Sequence, residues 1–220
     1  MGRGYGQFCP IAKAAEIFAT RWTPLVLREL TAGSCTFNEL HRGIPLMSRA
    51  LLAERLRHLE HEGIVERKES GRGKPVEYWL TPAGDAFRGV LDGLAHWGLT
   101  YTRDRLEPVD LDPGLFMWML RRRARVARMP ERRTVIEFEF SGVAPSRSKL
   151  RRMWLVLTPP DIDVCMKDPG HTIDMGVRGD IAVFVAVLLG QARWSAKLGQ
   201  EIIAEGEPKL IAQVPAWFNL

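Results

Sequence analysis

The stretch from Asp104 to Gly114 does most to limit what this chain can fold into. It crowds two prolines, one glycine and four acids into one short segment, a composition that continues neither helix nor strand and reads as a linker. The 220 residues then divide into a domain at 1–104, a linker at 105–114 and a second domain at 115–220, each of ordinary domain size. With 46% hydrophobic and 26% charged residues, the chain is too apolar for disorder. Its longest apolar run, Ile181 to Leu189, is half the roughly 18 residues of a membrane span. The start, Met1-Gly2-Arg3-Gly4-Tyr5-Gly6, has no apolar core for a secretion signal. Cys9, Cys35 and Cys165 lie far apart in sequence and imply no disulfide framework, so a reducing, cytoplasmic setting is expected.

Residues 1–105 carry 15 Lys/Arg against 12 Asp/Glu and the remainder 16 against 14. Neither half is basic enough to announce nucleic acid by charge alone, so any DNA affinity must come from where the charges stand. In the first half, Pro10 to about Ala19 reads as a helix with proline near its start. A second helix holds Leu25 to Leu30 and stops near Gly33. Thr36-Phe37-Asn38-Glu39 is a capping box that opens a third, and Gly43-Ile44-Pro45 makes a turn. Ser48 caps a fourth helix, whose Leu52, Leu56 and Leu59 form one apolar stripe. Two strands at 64–68 and 76–80 then flank a Gly71-Arg72-Gly73-Lys74-Pro75 tip, where glycine admits positive φ. Thr81-Pro82 opens a fifth helix running to around Tyr101.

Helix, turn, helix and a hairpin with a basic tip make a winged helix-turn-helix. With its leucines inward, the fourth helix presents Ser48, Arg49, Ala50, Ala53 and Arg57. Arg49, in the first turn, is placed for a base edge and Arg57 for a phosphate. Arg72 and Lys74 on the wing, with Thr36 and Asn38 at the start of the third helix, complete the expected DNA-binding set. The competing view of each charge is a solvated surface.

The motifs of residues 8–100 resemble the HxlR-type regulators, a MarR-like group. They include Cys9-Pro10, the run Leu25 to Leu30 after Trp22, Phe37-Asn38-Glu39-Leu40, Arg55 to Glu60, Gly63-Ile64-Val65, Val76 to Gly84 and Trp97-Gly98. The resemblance implies a homodimeric bacterial transcription regulator with Ser48 to Glu62 as recognition helix and the 66–77 hairpin as wing. Two departures stand out: Pro45-Leu46-Met47 before the capping serine, and a single wing proline, Pro75. Ile11, Phe18, Leu91, Leu94 and Trp97 exceed what so small a domain can bury and are assigned to dimerisation, with plain core packing as the other reading. Cys9 precedes the first helix, whose dipole favours a thiolate. It reads either as a redox-sensing thiol, as in some members of the resembled family, or as an inert packing residue.

The second half reads as α+β. A helix is expected from Leu115 to about Arg128, with strands at 134–140, 153–157, 162–166 and 172–177. Helices follow at 181–189 and near Trp194, then a strand at 202–206 and a closing helix. Trp154-Leu155-Val156-Leu157, Asp161 to Gly170, Asp174, Asp180, Gly190 and the Glu201 to Leu210 segment resemble the sterol-carrier-protein type 2 domain. That resemblance implies a sheet sheltering an apolar tunnel. Phe116, Met119, Trp154, Met166, Phe184, Trp194 and Trp217 are the expected ligand lining, with ordinary core as the alternative. The arginines from Arg121 to Arg133 read as a solvated face or an anion site.

No catalytic constellation, metal spacing or phosphate loop emerges, so neither an enzyme nor a cofactor is expected. The leading reading is a sequence-specific regulator of double-stranded DNA with an apolar effector in its second domain. The rivals are a lipid-binding protein that uses the winged helix to dimerise, and a Cys9 thiol switch.

Overall fold

The computed structural model describes residues 4–69, 71, 73, 75–102 and 105–220. Arg72, Lys74 and residue 104, where the first domain was expected to end, lie outside these. The chain forms two compact units, Met1–Asp104 and Arg105–Leu220.

The first unit contains α1 (Pro10–Phe18), α2 (Thr23–Thr31), α3 (Phe37–Gly43) and α4 (Arg49–His61). The antiparallel hairpin β1 (Val65–Glu69) and β2 (Val76–Leu80) follows, then α5 (Pro82–Asp85) and α6 (Arg88–Tyr101). Val26, Leu27, Leu40, Leu52, Leu56 and Leu59 are fully buried and form the centre of its core. The single helix expected from Thr81 to Tyr101 is two. Gly84 presses against the hairpin, where a Cβ would stand 2.1 Å from the Ile64 carbonyl oxygen. Phe87 stacks on Phe18 with centroids 5.3 Å apart. These two contacts fix the chain between the helices.

The second unit contains α7 (Pro113–Arg122), β3 (Thr134–Ser141), β4 (Arg152–Thr158), β5 (Asp161–Cys165) and β6 (Met175–Asp180). It continues with α8 (Ile181–Leu188), α9 (Trp194–Lys197), β7 (Ile202–Gly206) and α10 (Pro208–Phe218). The strands form one sheet in the order β5-β4-β3-β6-β7, with β3 and β6 parallel and the other neighbours antiparallel. Ile136, Phe138 and Phe140 alternate onto one sheet face, where Phe116 of α7, Phe184 of α8 and Trp217 of α10 join the same core.

Three boundaries differ from the sequence expectation: α7 starts at Pro113, inside the segment expected as linker, and two more have a visible cause. The helix from 115 ends at Arg122, because the Arg125 N–H turns away to donate to the Trp217 carbonyl at 2.7 Å. The strand expected from Thr172 starts at Met175, because the Asp174 carboxylate accepts the Val135 N–H at 2.8 Å and pins the entry. No helix among the described residues is long and apolar enough to cross a membrane.

Candidate nucleic-acid interface

The geometry of the helix pair is set by its caps. The Thr36 hydroxyl accepts the Glu39 N–H at 3.4 Å, and the Glu39 carboxylate accepts the Thr36 N–H at 3.0 Å. The same carboxylate takes the Thr36 O–H at 2.9 Å. Thr36, one of the residues expected to meet DNA, thus has its hydroxyl bonded to Glu39 at the start of α3. Ile44 and Met47 are buried in the turn and the Met47 N–H closes onto the Ile44 carbonyl at 3.0 Å. The unusual Pro45-Leu46-Met47 segment thereby anchors through its methionine, while Leu46 is exposed. Ser48 then accepts the Leu51 N–H at 3.2 Å and opens α4.

A lock that sequence reading missed holds α2 to the end of α3. Glu29 is fully buried; Arg28 pairs with it at 2.8 Å and donates to the Gly43 carbonyl at 2.7 Å. A Cβ on Gly43 would fall 2.0 Å from the Glu29 carboxylate, so a larger residue there would have to displace that buried side chain. The Arg-Glu neighbours were legible, but their partner fifteen residues on was not.

On the outer side of α4, Ser48, Arg49, Ala50 and Arg57 are exposed and Ala53 is half-buried. Arg49 reaches back to α3: its guanidinium donates to the Asn38 side-chain oxygen at 3.0 Å and lies 4.8 Å from the Phe37 ring centroid. Charge over a ring face attracts, so Phe37 serves as a platform that the sequence reading did not single out. Arg57 Nε turns back to the Ala53 carbonyl at 3.4 Å. Along β1 the cations are balanced locally, Arg67 by Glu69 at 2.8 Å and Lys68 by Glu66 at 2.6 Å. Thirteen residues make α4 roughly 20 Å long, and its girth suits a major groove about 12 Å wide.

Residues 17–105 match the family model for the HxlR-like helix-turn-helix. The chain is 33% identical over 108 residues to YvaP, an HTH-type transcriptional regulator of Bacillus subtilis (strain 168), covering 96% of that protein and 48% of this one. The chain belongs to the HxlR-like helix-turn-helix family. The HTH-type transcriptional regulator YodB of the same organism is 36% identical over 92 residues, with 81% of it and 40% of this chain covered. The solved reduced form of YodB aligns with a TM-score of 0.39 at 32% identity, covering 98% of that chain and 44% of this one.

Within this HxlR-like unit, the five residues assigned to dimerisation separate. Ile11, Leu94 and Trp97 are 79%, 49% and 53% exposed. Phe18 and Leu91 are partly buried: both pack against the unit's own core, and Phe18 stacks on Phe87. Tyr5, Phe8, Val90, Leu99 and Tyr101 are further exposed apolar residues. Cys9 is half-buried at the N-terminal cap of α1, where its carbonyl accepts the Lys13 N–H at 3.1 Å.

In the second unit, the expected ligand lining is likewise divided. Phe116, Phe184 and Trp194 border a gap of only about 10 Å³, and Trp217 is fully buried in the same core. Met119 packs against that core from its edge. Trp154 pairs across the strands with Glu137 and joins Val135 and Val156 on the opposite sheet face. Met166 is exposed. The seven residues therefore do not line one tunnel, since strand alternation sends Trp154 away from the phenylalanines. The arginine run is largely built in: Arg121 donates to the Ile162 carbonyl at 2.6 Å, Arg123 to the Leu188 carbonyl, and Arg125 to the Asn219 side chain at 2.6 Å. Among the described residues, no group of three His, Cys, Asp or Glu side chains is placed to hold a metal.

Proposed function

We propose that this protein is a homodimeric, sequence-specific DNA-binding transcription regulator that lays α4 in the major groove while the wing meets the backbone. The observation that carries this is the exposed first turn of α4, Ser48-Arg49-Ala50, with Arg49 braced by Asn38 and Phe37. A guanidinium held at that point can meet a guanine edge with two parallel hydrogen bonds, while Ala50 and Ala53 let the helix approach closely. Asn38, Ser48 and Arg57 face phosphates beside it, and Arg72 and Lys74 reach the backbone from the wing. Ile11, Leu94 and Trp97 join two copies, which places half-sites about one helical turn apart or a multiple of it.

A gel-shift series on a selected site and its scrambled version tests this. Arg49→Ala should cost about 1–3 kcal/mol on the selected site and little on the scrambled one. Lys74→Ala should weaken both alike and flatten the salt dependence. Equal losses on both sequences for Arg49→Ala would refute its base-reading role.

A second reading gives the second unit an apolar effector. The indole N–H groups of Trp194 and Trp217 are buried without an acceptor among the described residues, and such a group costs about 1–3 kcal/mol. An apolar molecule with one acceptor, entering beside Trp194 as the core opens, would satisfy it. Native mass spectrometry of the purified protein should then reveal a bound organic molecule; protein of bare chain mass after mild purification counts against it. Cys9, at the start of α1, is the thiol for a redox input. Cys9→Ser should keep DNA binding and abolish any release by oxidant in the same gel shifts.

A further inference from the structure

The turn between α3 and α4 holds one large apolar side chain out in water. Ile44 and Met47 are buried, and the Met47 N–H closes onto the Ile44 carbonyl at 3.0 Å, so Pro45 and Leu46 are the two corner residues of a tight turn. Proline suits the first corner. Leu46 takes the second with an ordinary negative φ, and a small polar residue would serve the backbone there equally well. The leucine side chain is instead 67% exposed, and its buried neighbours on either side fix the direction in which it leaves the surface.

A single leucine at a surface is ordinary; this one is set apart by its place. Ser48 caps α4 two residues further on, and the exposed Arg49 and Ala50 form its first turn. Ser48, Arg49 and Ala50 add no large apolar side chain, so the turn offers no broad patch of the kind a protein partner covers. A lone apolar tip beside a guanidinium matches a polyanion that carries isolated apolar points. In the major groove the apolar group on the base edges is the 5-methyl of thymine.

Reach sets the register. The three residues from Leu46 to Arg49 span at most about 10 Å, or about three base pairs at roughly 3.4 Å each. We infer that Leu46 is a specificity residue, which packs on the 5-methyl group of a thymine within about three base pairs of the guanine met by Arg49. This rests on the reading of α4 as the major-groove helix. Taking one methyl group out of water is worth about fourfold in affinity.

The test uses the full chain and a site selected from random DNA, in duplexes where deoxyuridine replaces one thymidine at a time. That change removes the methyl group alone. At one thymine in each half-site it should weaken binding of the wild type about fourfold. Leu46→Ala should bind the unmodified site more weakly and lose nothing further when that methyl is removed. Its thermal unfolding should match wild type, because the side chain it shortens is exposed. A methyl whose removal costs Leu46→Ala as much as wild type, as one met by Ala50 or Ala53 would, overturns the assignment, and so does the lack of any responsive thymine. Arg49→Ala on the same duplexes separates the two levels. If it still loses the selected site selectively while no methyl depends on Leu46, α4 reads DNA and Leu46 does not. If no site can be selected, the DNA reading fails and the role of Leu46 with it.

Discussion

A methyl group on Gly84 would collide with the Ile64 carbonyl oxygen, and backbone cannot yield as the end of a long side chain can. Gly84→Ala is therefore expected to destabilise the first unit by about 1–3 kcal/mol, read as a lower denaturant midpoint. Asp174 tests electrostatics at the same scale. Burial pushes its carboxyl up, but the hydrogen bonds from Arg132 at 2.6 Å and from the Val135 N–H, with the charges of Arg132 and Arg133, hold it below its ordinary 3.8. A lowered value in the folded state means the ionised form is the stabilising one. Its contribution is complete above the unfolded value and disappears as pH falls through the folded one. Asp174→Asn should reduce stability evenly at neutral pH, and the gap from wild type should narrow only below about pH 4. A gap unchanged down to pH 2, measured by urea unfolding, would contradict this.

Among the elements, α7 shows how much of a helix depends on distant partners. Its start falls two residues earlier than expected, inside the segment read as linker: Asp112 caps Pro113, and its carboxylate accepts the Leu115 N–H at 3.0 Å. That carboxylate also meets Arg147 Nε at 3.2 Å, and Arg147 donates to the Val109 carbonyl at 2.6 Å. The two side chains are only 9% and 11% exposed, so removing one strands a charge. Arg147→Ala should cost roughly 3 kcal/mol, seen as earlier unfolding of the second unit, and Arg147→Lys should recover only part because it lacks the planar fork. The end of α7 was not legible. The arginines from 121 onward continue a helical stripe, yet Arg121, Arg123 and Arg125 find partners 41, 65 and 94 residues away. Periodicity reports which face a residue occupies, and cannot say which carbonyl waits there.

At the level of the whole molecule, α6 has no buried residue, although Leu94, Trp97 and Tyr101 lie along it. An apolar helix face of this kind marks an interaction surface, and in the proposed dimer it meets the second copy. Leu94→Asp should make the protein monomeric in sedimentation and lower its DNA affinity by tenfold or more, since the linked second module supplies effective concentration. An unchanged dimer would remove α6 from the interface. The amino-acid order by itself determined the caps at Thr36 and Ser48, the leucine stripe of α4, the hairpin and most strands of the second unit. Each of these is decided among residues a few positions apart, by one hydrogen bond or one turn of periodicity. Only the tertiary structure decided that Phe18 and Leu91 face inward, that Arg49 rests on Phe37 and Asn38, and that Trp154 and Trp217 lie in separate clusters. Those outcomes depend on sheet register and on which surfaces reach one another first, and both are set by contacts between segments far apart along the chain.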